Sequence, residues 1–399
     1  SSAASDVYKR QSLDHDRSWE EGIRSGETTV LVIDAETRHV SPDQAYRKVF
    51  AVAKDAREAG IPYIYKKTDS ALRGNIGSEL EAAYRAAGEP FLSFVPALPQ
   101  MNRITRGGRQ YIDGVPVSKS VFGRDPFEPV TKDSVKDIIR LQSEIPVIET
   151  HGEARPGPGQ AGIVVYDATT EADIRRIGAD LTVTGQNRLM AGCAGFAAIL
   201  PDLLGLKRQE PETAALERRL FVICGSVNPI TRRQLDWGER VGYPRIYMAA
   251  EEKLNPEFWR SEQGAGLTRR MTQESSENDC VILDTNDRES ERNTLEYARE
   301  LGMDTGQVRS RIPETLGIIL KNMLDCGLHA VILVTGGDTL LGFMKEIRQW
   351  ELQPIRQVRP GCVLTKLYYC GREHHIITKS GGFGEENLLS ELTEELKGK

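Results

Sequence analysis

Short apolar runs alternate with longer amphipathic stretches along most of the chain, the pattern of strands and helices in an α/β protein. The clearest run is Val331-Ile-Leu-Val, which leads into threonine and two glycines. It predicts a short buried strand, with Leu340–Trp350 as the following helix and Leu341, Met344 and Ile347 on one face. Asp338 or Thr339 can cap that helix. Further strands are expected at Thr28–Ile33, Tyr63–Lys67, Phe91–Val95, Pro146–Ile148, Ile163–Tyr166, Leu220–Cys224, Val281–Asp284 and His374–Thr378. Helices are expected at Ser41–Ala59, Ser78–Ala87, Ser134–Gln142, Thr170–Leu181, Thr231–Gly242, Glu257–Gln273, Ile312–Cys326 and Glu386–Lys397. Pro96–Asp113 reads as a loop rich in arginine and glycine.

The pattern breaks in three places. Ser1–Gln11 has no signal-peptide core and no hydrophobic period, so residues 1–14 read as a leader foreign to the fold. Gly152–Gly162 is linker-like. It contains the letters Gly157-x-Gly159-x-x-Gly162, but a dinucleotide fingerprint must follow a strand and open a helix, and this run precedes a strand. Lys207–Ala215 is charged and carries Pro211, which divides the chain into expected domains at 15–212 and 218–395.

Length allows this division, since 399 residues bury more than one core. A net charge of −6 without a long basic run argues against nucleic acid or an anionic membrane as partner. No apolar run approaches a membrane span. Six scattered cysteines without metal-ligand spacing suit reduced thiols in the cytoplasm. Cys362 and Cys370 are placed to meet across a hairpin. The adjacent His374 and His375 point to opposite faces of a strand, which does not suit one metal ion. No metal site is expected, and no Gly-x-x-x-x-Gly-Lys-Ser/Thr run occurs.

Candidate chemistry collects where strands end. The strand before Gly336-Gly337-Asp338-Thr339 delivers a glycine turn and a helix N-terminus, whose free N–H groups suit an anion. Gly225-Ser226 repeats the arrangement, and Lys379-Ser380-Gly381-Gly382-Phe383-Gly384 adds a cation. In the N-terminal half, Lys66, Lys67 and Arg73 can hold an anionic substrate, and Asp69 and Ser70 can bind hydroxyls or carry a proton. Arg103, Arg106 and Arg109 stand among glycines, as in a loop for carboxylate or phosphate. Asp34 ends the first expected strand.

In their order and spacing, Lys67-x-Asp69-Ser70-x-x-Arg73-Gly74-Asn75, Arg103-x-Thr105-x-x-Gly108, Asp167-Ala168, Gly225-Ser226, Gly336–Thr339 and Lys379–Gly384 resemble the four-carbon acid sugar kinase family. The resemblance covers Thr28 to Leu392. It implies two α/β domains, an N-terminal acid-sugar domain and a C-terminal nucleotide domain, with the active site between them. It implies ATP and Mg²⁺ as cofactors and phosphorylation of the terminal hydroxyl of threonate, erythronate or 3-oxo-tetronate. Ser226, Gly336, Gly337, Asp338, Thr339 and Gly381 would contact ATP, with charge added by Lys379. Lys67, Ser70, Arg73, Gly74 and Arg103 would bind the acid sugar, and Asp69 or Asp34 would be the base. Members of the family open with a strand ending in an Asp-Asp-Leu-Thr-Gly-Ala type turn, which is not found here. The expectation is a chain short of that strand, folding or catalysing less well for it. A non-catalytic metabolite-binding protein is the second reading, favoured by the same departure, and an NAD-dependent oxidoreductase the third. A homodimer is the default assembly.

Overall fold

The computed structural model describes residues 9–13, 30–125, 128–150, 159–206, 215–288 and 292–398. The chain divides into two α/β units, Ala3–Gln209 and Glu210–Lys399.

The N-terminal unit begins with β1 (Lys9–Leu13) parallel to β2 (Val30–Asp34). The stretch read as a leader therefore contains a strand. The other strands are β3 (Ile64–Lys67), β4 (Phe91–Val95), β5 (Arg103–Arg106), β6 (Arg109–Ile112), β7 (Val115–Pro116), β8 (Val147–Thr150), β9 (Gly162–Tyr166) and β10 (Leu189–Gly192). A parallel sheet takes the order β3-β10-β4-β9-β8. Both of its faces are covered, and the alternation of side chains shows in the two cores. Leu92, Phe94, Ile163 and Val165 pack with Leu80 and Ala83 of helix Ile76–Ala87. Val95, Val164 and Tyr166 pack with Ile174, Ile177 and Leu181 of helix Glu171–Val183. Helix Pro42–Glu58 starts from a capping box of Ser41 and Gln44, with proline in its first turn. The expected loop at Pro96–Asp113 is instead an antiparallel ribbon, β5-β6-β7.

The C-terminal unit contains β11 (Leu220–Cys224), β12 (Arg245–Tyr247), β13 (Cys280–Asp284), β14 (Val331–Thr335), β15 (Glu351–Arg359), β16 (Cys362–Tyr369) and β17 (Arg372–Lys379). Their order is β12-β13-β11-β14-β17-β16-β15, parallel through β17 and antiparallel beyond it. All residues of β11, β13 and β14 are buried, as in a central parallel sheet. The chain leaves β11 toward the β12–β13 side of the sheet and leaves β14 toward the β15–β17 side, so the C-terminal ends of β11 and β14 flank a switch point, where open α/β sheets bind ligands.

Several expected elements change. The helix after β14 spans Gly337–Ile347, with Gly336 at the N-cap and no side-chain cap, so neither Asp338 nor Thr339 caps it. The single helix expected at Glu257–Gln273 is two, Pro256–Arg260 and Glu262–Glu277, because Ser261 leaves the helical conformation and caps the second. Cys362 pairs with Lys379 while Cys370 occupies the far turn at φ 48°, so the two cysteines stand at opposite ends of β16 and do not meet. The linker-like run lies largely outside the described residues.

Helix Gly337–Ile347 lies tightly on helix Thr305–Asp325. A Cβ at Gly342 would fall 2.1 Å from the Pro313 carbonyl oxygen, and one at Gly317 would fall 2.4 Å from that of Gly342. Among the described residues no helix is long and apolar enough to cross a membrane.

Candidate functional site

In the N-terminal unit the site grows from the turn after β3. The Asp69 carboxylate accepts from the backbone N–H groups of Ala71 (3.1 Å) and Arg73 (3.3 Å), which folds the turn back on itself. It also accepts from Arg73 Nε (3.1 Å) and Arg38 (2.6 Å). Burial alone would raise its pKa, but Arg73 and Arg38 outweigh burial and hold the carboxyl below the usual carboxylate range. Such a group is a fixed anion and a weak proton acceptor, so the environment of Asp69 suits the holding of arginines. Arg38 comes from the loop after β2. Asn75 secures that loop by donating to the carbonyls of Thr37 (2.8 Å) and Val40 (2.9 Å). A Cβ at Gly74 would lie 3.1 Å from Arg38 Cγ, so Gly74 makes room for this approach. Asp34 is exposed and accepts from its neighbour Glu36 N–H at 3.2 Å. Arg38, four residues on, carries the link to Asp69.

The β5–β6 ribbon brings Arg103 to the same turn, where its guanidinium donates to the Ser70 hydroxyl. Asp167 holds the tip of the ribbon by accepting from Gly107 N–H (2.7 Å) and Gly108 N–H (2.9 Å). Gln110 bonds both Thr105 (2.8 Å) and the Ser70 carbonyl (3.1 Å). Lys66 is taken up by Glu79 at 2.5 Å. Lys67 keeps surface in contact with solvent, yet the protein crowded around its ammonium lowers its pKa. Neither Lys67 nor Arg103 has a carboxylate within ion-pair distance among the described residues.

In the C-terminal unit, the ends of β11, β14 and β17 converge. Gly225 N–H donates to the Thr335 carbonyl and Gly336 N–H to the Lys379 carbonyl, both at 3.3 Å. These bonds join Ser226, Gly336–Thr339 and Lys379–Gly381 at one sheet edge. Gly336 sits at φ 99°, a conformation that disfavours side chains, and opens a helix whose first turn has no side-chain cap among the described residues. Gly381 passes so close to Ser226 that an added Cβ would be 2.7 Å from its Oγ. Asp338 is exposed and 3.7 Å from Arg309. Thr339 is buried. Lys379 is 3 % exposed and donates to the Thr231 hydroxyl (3.2 Å) and the Ser380 carbonyl (3.1 Å). Burial lowers its pKa, and among the described residues no carboxylate pairs with it.

The sequence reading missed the groups that brace these turns. Thr231 bonds both Lys379 and the Gly381 carbonyl (2.9 Å). Asn286, just past β13, donates to the Ser226 carbonyl at 3.3 Å. Its place two residues beyond a strand end was the available signal. The histidine pair splits as expected: His375 is buried against Glu217 (3.1 Å), while His374 packs against Tyr369. Among the described residues no group of three or more His, Cys, Asp or Glu side chains could hold a metal.

Two family models match the chain. One, described as a sugar-binding N-terminal domain, covers residues 2–200, and the other, a nucleotide-binding C-terminal domain, covers residues 221–389. D-threonate kinase of Salmonella typhimurium is 28% identical over 375 residues, covering 90% of this chain and 87% of its own. D-erythronate kinase of Heliobacterium modesticaldum is 27% identical over 383 residues, covering 90% and 85%. A 3-oxo-tetronate kinase of Cupriavidus necator is 22% identical over 397 residues, covering 94% and 88%. In fold, the chain is similar to a Haemophilus influenzae protein of known crystal structure, with TM-score 0.73, 18% identity and coverage of 99% and 95%. A Salmonella typhimurium structure has TM-score 0.77, 17% identity and coverage of 98% and 97%. With a sugar-binding domain followed by a nucleotide-binding domain, the chain belongs to the four-carbon acid sugar kinase family.

Proposed function

We propose that this chain transfers the γ-phosphoryl group of ATP to the terminal hydroxyl of a four-carbon sugar acid such as D-threonate, D-erythronate or 3-oxo-tetronate. The observation that carries the reading is three cations, Lys67, Arg103 and Lys379, that lack a carboxylate partner among the described residues. For the buried Lys379 an unpaired charge is costly, while Lys67 and Arg103 keep surface from which to meet an anion. The missing anions are the carboxylate of the acid in the N-terminal unit and the phosphates of ATP in the C-terminal unit.

Lys67 and Arg103 bind the acid, with Arg73 beside them and Ser70 bonding a hydroxyl. Asp69 keeps Arg38 and Arg73 in place. The N–H groups of Gly337 and Asp338 and the turns at Ser226 and Gly381 cradle the phosphates, and Lys379 draws charge from them. Mg²⁺ enters with the nucleotide and neutralises phosphate charge when bound. Phosphoryl transfer of this kind depends on positioning and charge neutralisation more than on a strong base. That suits a site whose best-placed carboxylate is tied to arginines.

The test is ADP release with Mg-ATP and a panel of D- and L-threonate, D- and L-erythronate and 3-oxo-tetronates. Release above a no-acid blank with one of them is expected and names the acceptor. Folded protein that binds ATP and releases no ADP with any acid overturns the reading in favour of a metabolite-binding role.

A further inference from the structure

We infer that Phe122 is a positioning residue for acid recognition, its ring setting where Arg73 and Arg103 present their charges. The inference rests on the acid-binding role proposed above. The Arg73 guanidinium carbon lies 4.9 Å from the Phe122 ring centroid and that of Arg103 lies 5.1 Å from it. Two like charges close to one ring repel each other, and the negative face of the ring attracts both. Beside Asp69 and Asp125, which bind Arg73, the ring thus helps the two cations stay near each other before a substrate anion arrives.

Phe122 is itself held. Its N–H donates to the Ser120 hydroxyl at 3.2 Å, and its carbonyl accepts from Val130 N–H at 3.0 Å. Half-buried, it packs against the apolar core beneath the sheet. The same turn supplies Asp125, which accepts from Arg73 at 3.2 Å. Arg73 is therefore bound from three sides, by Asp69, Asp125 and the ring. Arg103 has the Ser70 hydroxyl and the ring. Of the two, Arg103 keeps more of its charge for a ligand, and Phe122 and the Ser70 hydroxyl together orient it. Nothing in the motifs of the sequence points to this residue, which lies in a stretch without regular periodicity.

The test compares Phe122→Leu with Phe122→Tyr. Leucine keeps the apolar packing and loses the ring face, whereas tyrosine keeps both. Affinity for D-threonate, D-erythronate and 3-oxo-tetronate is measured by titration calorimetry without ATP, on protein whose thermal melt matches the parent. Phe122→Leu is expected to weaken acid binding about 3- to 30-fold. KM for ATP should stay unchanged and Phe122→Tyr should bind as the parent does. Equal acid affinity in parent and Phe122→Leu overturns the inference, as does equal loss in both variants. A parent that binds no acid overturns it too. The kinase reading fails separately: a parent that releases no ADP, alongside weakened acid binding in Phe122→Leu, removes the transfer reaction and leaves the role of Phe122 standing.

Discussion

Two buried lysines in the C-terminal unit divide structure from chemistry. Lys253 is 1 % exposed and meets Asp287 at 2.6 Å and the Thr294 hydroxyl at 3.1 Å, a paired charge that joins two helical segments. Lys379 is as deeply placed, but among the described residues it meets a hydroxyl and a carbonyl and no carboxylate. Removing Lys253 strands a carboxylate, whereas removing Lys379 relieves an uncompensated cation. Lys379→Met is therefore expected to raise KM for ATP by about 10- to 100-fold, the range of a charge-assisted hydrogen bond, with no loss of melting temperature. Lys253→Met is expected to lower the melting temperature instead. Steady-state kinetics and thermal melts of both variants check the contrast, and a Lys379→Met protein with unchanged KM removes that residue from the phosphate site.

At the scale of elements, the nucleotide edge depends on close approaches at Gly225 and Gly381, where a Cβ would fall 2.1 Å from Thr339 Oγ1 and 2.7 Å from Ser226 Oγ. A methyl group at Gly381 must displace Ser226 or its own backbone, an overpacking cost of about 1–3 kcal/mol. Gly381→Ala should raise KM for ATP severalfold and lower the melting temperature by a few degrees, while calorimetric acid affinity stays at the parent value. These turns were legible in the sequence because each follows a solid apolar strand: Val331–Thr335 and Leu220–Cys224 stand where the residues alone put them. Strand β15 was not legible. Its buried residues, Leu352, Ile355 and Val358, fall every third position, since register shifts at Pro354/Arg356 and Gln357/Arg359 break the two-residue alternation. A charged stretch with proline and a period of three resembles neither strand nor helix. The Arg103–Ile112 ribbon was hidden for another reason. Its strands are four residues long and partly polar, and the bonds from Asp167 that fix its tip come from a position 60 residues away. Motif spacing marked the residues of the candidate site, but not the braces Thr231, Asn286 and Phe122, whose roles arise from contacts distant in sequence.

At the scale of the whole molecule, the two units answer to different chemistry. The N-terminal unit is tied by ionisable groups at one point, where Asp69 joins the β3 turn to Arg38 and, through Arg73, to Asp125. Because the folded pKa of Asp69 lies below its ordinary 3.8, the native state gains stability from it above that pH. The gain disappears as pH falls below 3.8 through the folded value. Calorimetric melts from pH 5 downwards should show this acid loss, and Asp69→Asn should be less stable near neutrality with a flatter acid limb. Parallel acid limbs in parent and variant would assign the loss to other carboxylates. The C-terminal unit has ion pairs of its own, Lys253 with Asp287 and Arg245 with Asp284, and beside them close backbone contact. Helix Gly337–Ile347 presses bare glycine against the Pro313 carbonyl. So close a seat opposes sliding or rolling of the helix, and its N-terminal amides should stand ready before a nucleotide arrives. Association at this edge should then resemble a key entering a fixed lock, with one exponential phase in rapid mixing and a rate that climbs linearly with nucleotide concentration.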